Sequence, residues 1–261
     1  VTDQNDNGVV IRRRGTVAHL TIDRPSDRNA LSRDVQDALR KCLDQLSEDE
    51  SVGGLVITGG GERVFVAGAN VRELRSYTAT DGLGGRLQRL CDHVEQFPKP
   101  TVAAVNGFTL GGGCEIALAC DIRIATIDAR FGFPETGLSI IPGAGGTQRL
   151  SRVVGAGRAL ELILTGRRIT ADEALAIGLV TQVTDSDQLI ETAHEIASTI
   201  AAKGPLATQL ARLVVRAGMD TDLRSGQTME RLAQAVLHES RDKQEGIDAM
   251  LAKRVPQFEG R

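Results

Sequence analysis

Two glutamates set among apolar residues are the side chains of this sequence best suited to chemistry. Glu115 closes the run Gly111-Gly112-Gly113-Cys114-Glu115 and is followed by Ile116, Ala117, Leu118 and Ala119. Glu135 closes Phe131-Gly132-Phe133-Pro134-Glu135, behind a proline of fixed φ. A carboxyl group stripped of water by such neighbours has its pKa raised, which suits it to moving protons. Two of them could work as an acid–base pair. Each also has an ordinary reading. Glu115 is then a helix-start acid stabilised by the dipole, and Glu135 a loop acid reaching solvent.

The glycine run offers a second kind of chemistry. Glycines let the backbone turn sharply and approach a ligand closely. Amides at a helix start carry partial positive charge and can hold an anion, or a carbonyl oxygen that gains charge during a reaction. Val66-Ala67-Gly68-Ala69-Asn70, a small-residue turn, could supply another such amide, or be an ordinary tight turn. Ile141-Pro142-Gly143-Ala144-Gly145-Gly146-Thr147 resembles a phosphate loop only loosely, lacking the P-loop lysine and the G-x-G-x-x-G order. Close packing on a neighbouring segment is expected of it instead. His19, His93, His194 and His238 have no metal-ligand spacing, so no metal is predicted. No G-x-S-x-G nucleophile elbow is present.

These groups need a scaffold, and the composition describes one. At 261 residues, 41% hydrophobic and 25% charged, the chain is globular and long enough for a sizeable core. With 29 Gly, six Phe, one Tyr and no Trp, that core must be built of small aliphatic residues and closely approaching backbone. A net charge of -3 argues against a polyanion as main partner. Arg24, Arg28, Arg33, Arg40 and Lys41 interleave with Asp27, Asp34, Asp37 and Asp44, the pattern of a salt-bridged face. No apolar run approaches the roughly 18 residues of a membrane span. Cys42, Cys91, Cys114 and Cys120 form no C-x-x-C pair and read as reduced core thiols of a cytoplasmic protein.

Thr2 to Gly8 is polar and expected to fray. Val9 to Arg13 and Val17 to Ile22 read as a hairpin joined at Gly15. Leu31, Val35, Leu39, Cys42, Leu43 and Leu46 recur at helical spacing. Gly54 to Thr58 is a short buried strand. Leu87, Leu90, Cys91, Val94 and Phe97 mark a second helix, stopped by Pro98 and Pro100. Thr101 to Val105 is a buried strand, an Ala-rich helix runs from about Cys114 to Cys120, and Asp121 to Ala125 is another strand. Strand, glycine turn and helix recur, so the fold class is α/β. From about Ser186 strand signals vanish, and helical stretches follow, broken at Gly204-Pro205, Gly218 and Gly246. The expected organisation is a core over residues 1–195 and a helical C-terminal lobe over 196–261, whose polar face is either solvated or packed against another subunit.

The wording of the motifs goes further. In order along the chain stand Phe65-Val66-Ala67-Gly68-Ala69-Asn70, Lys99-Pro100-Thr101-Val102-Ala103-Ala104-Val105-Asn106-Gly107, the Gly111–Glu115 run, and Ala119-Cys120-Asp121-Ile122-Arg123. The Phe131–Glu135 run, Ile141 to Leu150, Leu164-Thr165-Gly166, Ala176 to Val180 and Val255-Pro256-Gln257-Phe258 follow. The set spans nearly the whole chain and resembles the enoyl-CoA hydratase/isomerase family, the crotonases. The resemblance implies a crotonase-like (Clp protease/crotonase) spiral of β-β-α units, with a C-terminal helical lobe used in trimers or pairs of trimers. It implies an acyl-CoA thioester as substrate, with no metal or redox cofactor; no nucleic-acid or membrane partner is expected from the charge and the apolar runs. The amides of Ala69 and Gly112 match those that hold the thioester oxygen, and Glu115 and Glu135 match the two glutamates of the hydratase branch. Ala69, Asn70, Val71, Arg72, Gly112 and Phe133 are expected against the substrate. Two positions depart from the pattern: Asn70 stands where the family usually has Asp, and Phe133 where hydratases often have a polar residue such as Gln. The expected reaction is hydration of a 2-enoyl-CoA to a 3-hydroxyacyl-CoA. The alternatives are hydration of 3-methylglutaconyl-CoA, double-bond isomerisation, a hydrolase on the related spiral, and a non-catalytic RNA-binding module.

Overall fold

The computed structural model describes residues 4–261. Eleven strands appear among them: β1 (Gln4–Asp6), β2 (Val9–Arg14), β3 (Val17–Ile22), β4 (Gly54–Gly59), β5 (Val64–Val66), β6 (Thr101–Val105), β7 (Phe108–Leu110), β8 (Ile122–Thr126), β9 (Arg130–Gly132), β10 (Arg168–Thr170) and β11 (Gln182–Thr184). They form a seven-stranded sheet in the order β1-β2-β3-β4-β6-β8-β11 and a four-stranded sheet in the order β10-β9-β7-β5. The hairpin β2–β3 is antiparallel, and β3, β4, β6, β8 and β11 run parallel. β4, β6 and β8 therefore lie in the large sheet, and β5, β7 and β9, each directly following, lie in the small one. This alternation is the expected spiral of β-β-α units. β4 and β6 are buried along their whole length, which is why they read as continuous apolar runs.

The expected fraying at the start needs correction. Gln4–Asp6 pairs with Val9–Ile11, because Asn7 and Gly8 both take positive φ and close a two-residue hairpin turn. Thr2 and Asp3 lie outside the described residues.

The helices are α1 (Arg33–Glu48), α2 (Val71–Leu74), α3 (Ala79–Gly84), α4 (Arg86–Glu95), α5 (Gly112–Ala119), α6 (Gly146–Val154), α7 (Ala156–Thr165), α8 (Ala171–Ala176), α9 (Leu189–Ala201), α10 (Pro205–Gly218), α11 (Leu223–His238) and α12 (Arg241–Leu251). Ser32 caps α1 by accepting from the Val35 N–H, and Val35, Leu39, Cys42, Leu43 and Leu46 bury one face. α5 is buried on every side, so it cannot be found by amphipathic periodicity. All four cysteines are buried free thiols.

α9 lies across the expected 195/196 boundary. It packs Leu189, Ala193 and Ala197 on Val17, Val56, Val102, Ala104 and Ile124 of the large sheet. His194 on α9 meets His19 on β3, with Nδ1 and Nε2 3.1 Å apart and the rings stacked. Beyond it, α10 and α11 bury no residue completely. The breaks at Gly204-Pro205 and Gly218 are present, but Gly246 lies inside α12. A Cβ there would come within 3.3 Å of the Phe258 ring, so this glycine admits the returning tail rather than ending the helix.

Candidate active site

Two turns at the ends of neighbouring short strands form one wall of the site. β5 passes through Ala67–Ala69 to Asn70, which caps α2 by accepting from the Arg72 N–H at 3.0 Å. β7 passes through Gly111 into α5. The turns touch so closely that side chains would separate them. A Cβ on Gly68, at φ +96°, would lie 2.9 Å from Leu110 O and 3.4 Å from Gly112 N. One on Gly113 would lie 2.1 Å from Val66 O, a distance no packing tolerates. Gly68 O accepts from the Leu31 N–H at 2.9 Å, and the Gly111 N–H donates to Gly132 O at 2.9 Å. The buried amide of Asn29 gathers Gly60 O, Val64 O and Phe65 O, locking the strand that leads into the first turn. Among the described residues neither the Ala69 nor the Gly112 N–H has a protein acceptor. Gly112 is the first residue of α5, where such free donors are expected, and Ala69 lies in the turn just before the cap of α2.

Glu115 projects from α5 and is 2% exposed. Its Oε1 accepts from the Ala144 N–H at 2.7 Å and the Gly146 N–H at 2.8 Å. Burial pushes its pKa up, while these two amides and the charge of Arg149 pull it down. Gly146 must be glycine, since its Cβ would sit 2.8 Å from Glu115 Oε1. The Ile141–Thr147 loop thus does pack on a neighbouring segment, as its composition suggested, and what it packs on is the carboxylate. Arg149, on α6, braces this loop: Nη1 donates to Ala144 O at 2.9 Å, and Nη2 reaches Asp92 at 2.7 Å and Glu95 at 2.6 Å on α4.

Glu135 lies in a single 3-10 turn, Pro134–Leu138. Burial pushes its carboxyl up to about 7; its own backbone amide opposes the shift and the charge of Glu115 adds to it. Its Oε2 is buried without a partner. Gly111, at φ 51° and ψ -118°, makes room for it, because a Cβ there would lie 2.6 Å from Glu135 Oε1. The environments of the two acids differ in kind. One carboxylate is held by amides that favour its charge. The other has a buried oxygen that lacks such a donor and so favours the proton.

A cavity of about 220 Å³ joins these parts: Ala69, Gly112, Glu115 and Glu135 all line it, as does Val71. The other expected contacts stand elsewhere. Asn70 is spent on the α2 cap, and Arg72 is exposed off the cavity wall. Phe133 is 1% exposed and lies in the hydrophobic core, because the chain there turns Phe131 and Phe133 inward and only Pro134 and Glu135 reach the cavity. Wall residues not picked out from the sequence are Gln36, Leu74, Tyr77, Arg86, Leu138 and Ile140. They come from distant segments and carried no shared signal. Among the described residues no three His, Cys, Asp or Glu cluster as a metal site requires, and no helix is long and apolar enough to cross a membrane.

Comparison with known proteins bears on this arrangement. The family model described as enoyl-CoA hydratase/isomerase matches residues 12–261. A short-chain-enoyl-CoA hydratase of Clostridium acetobutylicum is 43% identical, over 95% of this chain and 96% of its own length. A 2,3-dehydroadipyl-CoA hydratase of Escherichia coli is 42% identical, over 97% and 99%. The crystal structure of an enoyl-CoA hydratase from Bacillus anthracis superposes with a TM-score of 0.94 at 40% identity, covering 98% of this chain and all of that one.

Proposed function

This chain belongs to the enoyl-CoA hydratase/isomerase family, and on that premise we propose that it adds water across the 2,3 double bond of a 2-enoyl-CoA to give a 3-hydroxyacyl-CoA, a step of acyl-CoA degradation. The observation that carries the reading is the single cavity on which two free backbone amides and two unlike carboxyl groups converge.

The thioester oxygen accepts from the Ala69 and Gly112 N–H groups. Both donors are preorganised by the glycine contacts, so charge developing on that oxygen is stabilised with little reorganisation. Polarisation of the carbonyl makes the β-carbon electrophilic. Glu115, whose charged form is favoured by the Ala144 and Gly146 amides, takes a proton from the water that attacks that carbon. Glu135, with a pKa near neutrality, gives its proton to the α-carbon. The hydroxyl goes to the β-carbon and one proton to the α-carbon. A proton passing between the acids restores the starting state. Because the pair is coupled, its titration belongs to both groups. Neither step as written draws on a metal or redox cofactor.

Hydration of crotonyl-CoA removes the conjugated enoyl thioester absorbance, and rapid loss of that absorbance is the expected result. No loss with CoA thioester binding intact would sink the hydratase reading. A trimer or pair of trimers is part of the proposal. Leu213, Met219, Leu223, Leu232, Met250 and Leu251 expose apolar side chains on α10–α12 and the turn after α10, more than a solvated lobe needs. The buried free thiols support a cytoplasmic setting.

Arg149 is a positioning residue in this scheme. Arg149→Met is expected to lower stability by about 3 kcal/mol, since its head is largely buried between Asp92 and Glu95. It should also lower kcat roughly tenfold, through a loosened Ala144–Gly146 cradle. Urea unfolding beside steady-state kinetics reads both, and a stable variant with parental kcat would remove the bracing role.

A further inference from the structure

The cavity wall carries two polar atoms that the proposed chemistry does not use. Gln36, on α1, is 2% exposed. Its Nε2 donates to Leu31 O at 2.9 Å, which orients the amide and leaves Oε1 as the open end. That oxygen is buried without a partner among the described residues, and the residue lines the cavity shared by Glu115 and Glu135. Arg86, the first residue of α4, lines the same cavity, and its Nε is also buried and unpartnered. Asp37 pairs with Nη2 of the same guanidinium, which holds the head in place.

The two residues belong to one corner. Arg33, Gln36, Asp37 and Arg40 share a face of α1 by helical spacing. That face meets Arg86, whose carbonyl accepts from Arg40 Nη2 at 2.6 Å. Leu74 and Leu87 stand on the cavity wall with them. A buried amide oxygen without a donor is costly, and an aliphatic side chain would fill the same space without that cost. A ligand that brings a donor removes the penalty. A hydroxyl group both donates to Gln36 Oε1 and accepts from Arg86 Nε. A methyl terminus satisfies neither atom. A carboxylate would suit Arg86 but set a second acceptor against Gln36 Oε1, beside Asp81 on the same wall.

Resting on the hydratase reading, we propose that this corner is an acyl-terminus subsite, which selects 2-enoyl-CoA thioesters whose chain ends in a hydroxyl group. Gln36 and Arg86 determine that specificity and take no part in the bond-making steps.

The test is a homologous series of trans-2-enoyl-CoA thioesters, each chain length made with a methyl, a hydroxymethyl or a carboxylate terminus. The probe reaction is loss of enoyl absorbance by the parent, Gln36→Leu and Arg86→Lys. At the chain length that reaches the corner, kcat/KM for the hydroxyl terminus is expected to exceed that for the methyl terminus by roughly tenfold or more. The ratio should collapse toward unity in Gln36→Leu and fall in Arg86→Lys, which keeps the charge and removes Nε. If Gln36→Leu does not fold, the parent profile and Arg86→Lys decide the matter. Methyl termini preferred at every length would overturn the subsite. So would a carboxylate preference unchanged by Gln36→Leu, which would assign recognition to the charge of Arg86 alone. Crotonyl-CoA serves as control: its hydration without any terminus preference rejects the subsite only, whereas no hydration of any thioester rejects the hydratase reading and the subsite with it.

Discussion

Glu135→Gln is expected to lower kcat for crotonyl-CoA hydration by on the order of 10²–10⁴, or more if the two acids act as a unit. Glutamine keeps the shape and the polarity of the side chain but has no proton to give the α-carbon. The pH profile adds a signature that mere disruption would lack. The Glu135 carboxyl sits near 7, so its acid form is depleted as pH rises through that value. The parent kcat/KM for hydration should therefore decline on the alkaline side of about 7, and the residual activity of Glu135→Gln should not. Stability of the parent falls over a similar range. The folded-state pKa is raised above the ordinary 4.5, so the fold is favoured by the protonated form and loses stability as pH climbs from 4.5 through about 7. Removing the charge should leave stability unchanged at pH 4 and raise it at pH 8, by on the order of 1 kcal/mol once solvent screening of the partly exposed group is allowed for. A less active but more alkali-stable variant is the joint result expected. A variant with parental kcat would eliminate Glu135 as the acid. Glu115→Gln should be equally slow for another reason: the Ala144 and Gly146 amides would face a neutral amide group in place of a carboxylate, and the water would lose its base.

Gly113→Ala carries the second large effect. The added carbon would lie 2.1 Å from Val66 O and 2.9 Å from both Val66 C and Val66 Cβ. Both walls are backbone or β-branched side chain in the buried core, so neither can swing aside. α5 must move away from the end of β5, and the Ala69 and Gly112 amides then part. Destabilisation of about 3 kcal/mol is expected. Where folded protein is recovered, a loss of kcat of about 10²–10³ should accompany it, the usual cost of spoiling an oxyanion donor. Gly157→Ala is the matched control. It lies in α7 with nothing within 4 Å of its Cβ position, so it should be neutral or stabilising by up to about 1 kcal/mol. Thermal unfolding and crotonyl-CoA kinetics on the pair separate close approach from a general intolerance of alanine. Equal behaviour of the two would remove the argument that glycine contact holds the amides together.

The sequence by itself determined the elements whose signal is local. β2, β3, β4 and β6, the buried faces of α1 and α4, and the breaks at Gly204-Pro205 and Gly218 follow from periodicity, apolar runs and backbone punctuation. All four groups expected at the site, Ala69, Gly112, Glu115 and Glu135, line the cavity. The two acids stood out by their apolar neighbours, each with an ordinary reading beside the catalytic one, whereas the choice of Ala69 and Gly112 within their glycine-rich turns came from the family resemblance. Tertiary structure decided the rest. β5, β7 and β9 are three residues long, too short for a period, and exist as strands because each finds a neighbour in the small sheet. Gly246 looks like a helix breaker until Phe258 is packed against it. The cradle of amides around Glu115 comes from a loop whose composition announced only tight packing, and the brace behind it joins Arg149 to acids more than fifty residues away. Asn70 and Phe133 sit beside cavity-lining residues in the chain but face a helix cap and the core. The physical reason is common to all of these. Propensity, capping and alternation act over a few residues, whereas a shared cavity and a raised pKa depend on which distant surfaces exclude water from one another, and that is settled only when the two sheets and their helices close together.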